Sequence, residues 1–191
     1  LDPDTGEYYD TAAHSVWIGE RTRDLDGAHV RFFSGIANPI GTKVGPTVTP
    51  DEVVALCEAL DPHRVPGRLT LIARMGADKV ADRLGPLVEA VRDSGHPVVW
   101  ATDPMHGNTF TAPSGRKTRH FDAVEAEIKE QTKATIRCLP DAEFRSAEAP
   151  TTCIWTGRPA TVEARILRAT WSCRGRDAAA GRCCRTWARR T

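Results

Sequence analysis

The sequence predicts an α/β fold built on a parallel sheet. Up to about Ala123, short apolar runs alternate with helical patterns, and the helical patterns carry end signals. Strand, helix and strand in succession mean βαβ units. Length sets the bound: 191 residues suffice for a real core but not for a whole (β/α)8 barrel.

Each element has its own reason. "SVWIGE" is apolar and β-branched and reads as the first strand, and "GIANPIGTKVG" as a shorter strand punctuated by glycine. Thr49 then offers an N-cap, Pro50 a first helical residue, and Asp51 and Glu52 acidic groups for the first turn. Val53, Leu56, Cys57 and Leu60 fall on one face of that helix. "RLTLIAR" reads as a third strand. The segment "DKVADRLGPLVEAVRDSG" turns Leu84, Leu87, Val88 and Val91 inward and stops at Gly95. "HPVVWAT" is the fourth strand, and it drops at once into the loop "DPMHGNT".

After Ala123 the texture changes. "EAEIKEQTKATIRCLP" reads as an amphipathic helix running into a strand, followed by the polar loop "DAEFRSAEAPTT" and by "CIWTGRPATV". From Arg165 onward there are eight Arg, no Lys, three Cys and two Trp, with no period of 2 or 3.6. This tail is expected to be disordered. It suits either an Arg-rich nucleic-acid arm or, better, the out-of-frame product of a GC-rich gene. The expected organisation is therefore 1–123, 124–164 as a small α+β or irregular segment, and 165–191.

Composition narrows the partners. A net charge of +1 and a pI near 7.8 give no global reason to expect nucleic acid or an anionic membrane. There is no apolar run of about 18 residues, and "LDPDTGEYYD" is unlike a signal peptide, so a soluble, cytoplasmic protein without a membrane partner is expected. Of six cysteines only Cys57 precedes residue 130, which is no disulfide framework.

The first piece places charged or ligating residues at the carboxyl ends of its strands: Glu20 and Arg21, Lys43, Arg74, and His106. In a parallel barrel these ends converge on one rim, where the active site lies. Two Arg and one Lys aimed at one point suit a small, multiply anionic ligand such as a phosphorylated carboxylic acid. A neutral imidazole beside them suits a divalent transition metal. On residue type alone, the same positions are also compatible with solvated charges and a plain turn.

In order and spacing, "VWIGERTRDLDGAH", "IANPIGTKVGP", "LDPHRVPGRLTLIARMG" and "DPMHGNT...KTRHFD" together resemble the type II, plant-like 3-deoxy-D-arabino-heptulosonate 7-phosphate (DAHP) synthases, which open the shikimate pathway. The resemblance covers about residues 1–123. It implies a partial (β/α)8 barrel, about strands three to six. It also implies that Glu20, Arg21, Lys43 and Arg74 hold phosphoenolpyruvate, with Lys43 and Arg74 the catalytic pair, Arg21 and Arg74 on the phosphate and Lys43 on the carboxylate. His106 looks like one ligand of a divalent metal, manganese or cobalt. The implied reaction condenses phosphoenolpyruvate with erythrose 4-phosphate and releases phosphate, in a family whose intact members are expected to be homo-oligomers. The aminated variant of antibiotic pathways shares the phosphoenolpyruvate site. Trp17 is expected to pack beside the site, as core.

The family's other metal ligands, a Cys before this segment and a Glu and an Asp after it, have no matching positions, nor does the strand containing "HVE". Instead, "AEIKEQTKATIRCLP...TTCIWTGRPATVEA" resembles the C-terminal end of archaeal-type prolyl-tRNA synthetases. That end can carry cysteine-bound zinc. Here Thr156 stands where a second Cys would be needed, so Cys138 and Cys153 are expected to be ordinary core residues without zinc. Such a chain is expected to have two unpaired sheet edges and to be inactive alone. A nucleic-acid-binding chain or a non-functional fused reading frame are the competing readings.

Overall fold

The computed structural model describes residues 1–139, together with the strand segments Arg145–Ser146 and Cys153–Ile154. The expectations for the other residues, the Arg-rich tail among them, lie outside the described residues.

Four parallel strands follow one another across the sheet in chain order: β1 (Val16–Ile18), β2 (Ile40–Val44), β3 (Leu69–Ala73) and β4 (Val99–Thr102). The links between them carry α1 (Ala28–Ser34), α2 (Pro50–Leu60) and α3 (Val80–Asp93). A two-stranded ribbon, β5 (Phe110–Thr111) with β6 (Lys117–Thr118), precedes α4 (Phe121–Cys138). This is the expected α/β fold with a parallel sheet, consistent with part of a (β/α)8 barrel.

Helix α2 begins as its residues predict. Thr49 Oγ1 accepts from the Glu52 N–H at 3.2 Å and Glu52 Oε2 accepts from the Thr49 N–H at 2.8 Å, a reciprocal capping box ahead of Pro50. The inward faces are also the expected ones: Val53, Leu56, Cys57 and Leu60 on α2, and Leu84, Leu87, Val88 and Val91 on α3 are all buried. Burial pushes the Cys57 thiol up to about 12, so it behaves as a small apolar group. Helix α3 ends at Ser94 with Gly95 at a φ of +74°, the left-handed turn that glycine takes freely.

The sheet has two unlike faces. Val16, Ile18, Ile40, Val44, Leu69, Leu71, Ala73 and Trp100 share one core with the helices. The alternate residues form the other face, in cross-strand rows such as Trp17–Gly41–Thr70–Val99 and Lys43–Ile72–Ala101. Trp17 lies on this second face and is 65% exposed, so it is not the core residue expected. The pleat is the reason: its neighbours Val16 and Ile18 point to the helices, and its row partner Gly41 has no side chain to cover it.

Two further expectations change. The unpaired edge predicted beyond β4 is paired, over Ala101 and Thr102, by the antiparallel strand β8 (Cys153–Ile154), which in turn pairs with β7 (Arg145–Ser146). An edge strand's free N–H and C=O groups are satisfied this way, although an antiparallel neighbour is unlike the parallel one a barrel would supply. The segment read as a helix running into a strand stays helical to Cys138: α4 runs unbroken across the expected boundary at 123/124 and packs on α3. Ala134, Thr135 and Cys138 are buried at i, i+1 and i+4, and the helix closes at Leu139, before a proline. Cys138 is the core residue expected. No helix among the described residues is long and apolar enough to cross a membrane.

Leu71 is fully buried at the centre of this core. Leu71→Ala is expected to lower the unfolding free energy by about 2–5 kcal/mol, against about 1 kcal/mol for Thr49→Ala at the α2 cap. Urea denaturation of the two variants checks both the size and the order.

Candidate active site

The parallel ladder continues past the strands and positions the first residues of the site. The Arg74 N–H donates to the Val44 carbonyl at 2.9 Å, and the Asp103 N–H to the Ala73 carbonyl at 2.8 Å. The chain after β3 is thereby fixed beside the end of β2, and the chain after β4 beside the end of β3. After β1 the chain turns at once into a short 3-10 helix, Glu20–Thr22, with Glu20 half-buried and Arg21 exposed. Lys43 leaves β2 on the open face of the sheet.

These ends enclose a cavity of about 470 Å³ lined by Gly19, Glu20, Arg21, Thr22, Lys43, Arg74 and His106. All five residues singled out in the sequence stand on this one cavity, brought there from four strand ends as far apart as 86 positions in the chain (106 − 20). Two of their polar atoms, Glu20 Oε2 and Arg74 Nε, are buried and have no hydrogen-bond partner. Buried polar atoms are nearly always satisfied, so the orphaned Arg74 Nε–H on the cavity wall points to a ligand that brings an acceptor, whereas the Glu20 oxygen, itself an acceptor, calls for a donor. Among the described residues Arg21 and Arg74 form no salt bridge, while Glu20 lies 3.4 Å from the Arg23 guanidinium. The two arginines are the cationic surplus of the wall.

A residue not expected in the site organises it. Asp103, 7% exposed, accepts from Lys43 Nζ at 2.6 Å and from His106 Nδ1 at 2.7 Å through the same Oδ2. Its Oδ1 also faces His106 Nδ1, at 2.8 Å, and accepts from the Met105 and His106 N–H groups at 3.3 Å each. Burial pushes its carboxyl up, but the hydrogen bonds from Lys43 and His106 outweigh it and hold the group below its ordinary value of 3.8. An ionised Asp103 can only accept, so Nδ1 of a neutral His106 carries the proton and Nε2 is the nitrogen open to a ligand. The sequence signal for Asp103 was its place at the end of β4; its partner Lys43 lies 60 positions away and gave none.

His106 is exposed and its Nδ1 is taken by Asp103, which leaves Nε2 as a single donor. Both Asp103 oxygens are engaged, and no group of three or more His, Cys, Asp or Glu among the described residues could hold a metal ion. A catalytic divalent ion takes three protein ligands as a rule. The described residues therefore do not make up the metal site of the resemblance.

The lowered carboxyl of Asp103 gives a signed pH dependence. Its contribution to stability is present above 3.8, its ordinary value, and is lost as pH falls through its lower folded value. Asp103→Asn should reduce the urea midpoint at neutral pH, by an amount worth about 1–3 kcal/mol for hydrogen bonds to charged groups. The gap between the two proteins should close as the pH is taken below 3.8.

A model of the Class-II DAHP synthetase family matches residues 1–139. Over 129 residues the chain is 59% identical to the phospho-2-dehydro-3-deoxyheptonate aldolase of Streptomyces coelicolor, covering 68% of this chain and 29% of that protein. It is 62% identical over 117 residues to a probable phospho-2-dehydro-3-deoxyheptonate aldolase of Pseudomonas fluorescens, covering 61% of this chain and 29% of that protein. A probable chloroplastic counterpart from Catharanthus roseus is 46% identical over 168 residues, covering 87% of this chain and 32% of that protein. This last alignment reaches beyond residue 139, into the segment read as synthetase-like. The chain spans about a third or less of the length of the curated relatives it matches. With residues 1–139 of its 191 inside one family model, the chain belongs to the Class-II DAHP synthetase family.

Proposed function

We propose that this chain carries the phosphoenolpyruvate-binding part of a 3-deoxy-7-phosphoheptulonate synthase. The observation that carries the reading is the cavity on which Arg21, Lys43 and Arg74 meet, with the buried Arg74 Nε unpartnered. Phosphoenolpyruvate is small and carries a phosphate and a carboxylate, so it needs cationic donors at both ends. Arg21 and Arg74 hold the phosphate, where forked guanidinium donors match its oxygens. Lys43 neutralises the carboxylate as a point charge, and Asp103 keeps that ammonium in place until the ligand arrives. Glu20 lines the same cavity, packed against Gly45 so closely that a Cβ there would lie 2.5 Å from its Oε1.

In the reaction, the methylene carbon of phosphoenolpyruvate bonds to the aldehyde carbon of erythrose 4-phosphate, whose oxygen takes up a proton, and one water is consumed as the phosphate ester is cleaved and inorganic phosphate leaves. Arg21 and Arg74 stabilise the phosphate as charge develops on it, and Lys43 stabilises charge near the reacting carbon. The erythrose 4-phosphate contacts and the further ligands of a manganese or cobalt ion would come from outside the described residues. The same reading makes the sheet part of a (β/α)8 barrel wall, with the face of Trp17 and Lys43 turned to the barrel interior.

Calorimetric titration of the purified chain with phosphoenolpyruvate tests the site. Binding is expected, and Lys43→Ala or Arg74→Ala should each weaken it by about tenfold to a hundredfold, the worth of a hydrogen bond to a charged group. No binding by the unchanged chain, or equal binding by Arg74→Ala, overturns the assignment. With erythrose 4-phosphate and manganese added, the chain alone is expected to form no heptulosonate product.

A further inference from the structure

Behind the cavity, on its helix side, lies a buried carboxylate that the proposed chemistry does not use. Glu127 of α4 is fully buried. Its Oε1 accepts from the Met75 N–H at 2.8 Å and from the Gly76 N–H at 3.0 Å, the two residues that follow Arg74. Its Oε2 accepts from Asn108 Nδ2 at 2.6 Å, two residues beyond His106. Asn108 ties the same loops a second time: its Nδ2 donates to the Pro104 carbonyl at 2.7 Å, and its Oδ1 accepts from the Ala77 N–H at 3.0 Å.

The loops so joined have almost no slack. A Cβ on Gly107 would lie 2.5 Å from the Gly76 nitrogen, and Gly76 takes a φ of +86° to pass it. Across this contact Arg74 Nη2 donates to the His106 carbonyl at 2.9 Å. Burial pushes the Glu127 carboxyl above its ordinary value despite the three donors. A helix residue that keeps a costly buried carboxyl for the sake of two loop N–H groups and one loop amide serves those loops.

We propose that Glu127 is a positioning residue of the site: through Met75, Gly76 and Asn108 it locks the loops after β3 and β4 together and so sets the separation of Arg74 and His106. The proposal rests on the reading of the cavity as the phosphoenolpyruvate site, and its test separates the two.

The full 191-residue chain is compared with Glu127→Gln and Asn108→Ala by NMR and by phosphoenolpyruvate titration. Glu127→Gln keeps an acceptor for the two N–H groups but sets an NH2 group against the Asn108 amide. Its Arg74 guanidinium and His106 ring signals are expected to shift while the methyl signals of Ile18 and Val53 stay. Phosphoenolpyruvate binding should weaken by about tenfold, the size typical when a partner supporting a site ligand is removed. Asn108→Ala leaves the α4 bonds to Met75 and Gly76 intact and should move the same two signals. It carries the test alone if Glu127→Gln does not fold. Unmoved Arg74 and His106 signals in a folded variant overturn the proposal. So do shifts that spread to β1 and α2, or the failure of both variants to fold, since Glu127 would then be a general brace. If the two signals move but even the unchanged chain binds no phosphoenolpyruvate, the positioning role stands and the ligand assignment falls.

Discussion

Everything in the site depends on the parallel ladder. Parallel strands laid side by side in chain order leave all their carboxyl ends on one edge, and a residue one step past each strand joins a row without any contact of its own. The ladder bonds from Arg74 to Val44 and from Asp103 to Ala73 extend that order past the strands. A one-residue slip of β3 against β2 would turn Arg74 to the other face and put Ala73 in its place. The helix-facing core of Ile18, Val44, Leu71 and Ala73 prevents the slip, so packing on one face fixes the chemistry at the edge.

Once the ends are assembled, charge decides how they sit. Lys43, Arg21 and Arg74 would repel one another in an empty cavity, and burying an unpaired ammonium costs more than a surface ion pair returns. Asp103 relieves this by holding Lys43 at 2.6 Å, and the same carboxylate fixes the His106 ring. Arg74 is held differently, by donation to the His106 carbonyl, a neutral acceptor that leaves its charge uncancelled. The wall thus keeps one cation balanced and two in surplus.

The parts of this arrangement differed in how far the sequence disclosed them. Strands, α2, α3 and their inward faces were legible because period and end signals are local: Thr49 and Glu52 are three residues apart, and Leu84 to Val91 lie within two turns. Glu20, Arg21, Lys43, Arg74 and His106 were legible as strand-end residues. Asp103 and Glu127 were not read as parts of the site, because an acid beside a loop or inside a helix looks the same whether its partner is water or a lysine 60 positions away. Glu127 is the harder case, since Met75 and Gly76 meet it through backbone N–H groups that any residue possesses. Trp17 misled because an aromatic in an apolar run suggests burial, and only the pleat determines which face it takes.

The open face that carries Trp17 also bears on the heat capacity of folding. Apolar surface that is wetted in both the folded and the unfolded chain adds nothing to the heat-capacity change, which arises from surface newly exposed on unfolding. Trp17, and in part Thr70, Ile72 and Val99, already meet water in the folded state. The stability of the described residues therefore varies less with temperature than a sheet buried on both faces would allow. Covering that face would stabilise the fold and also sharpen its response to heat and cold.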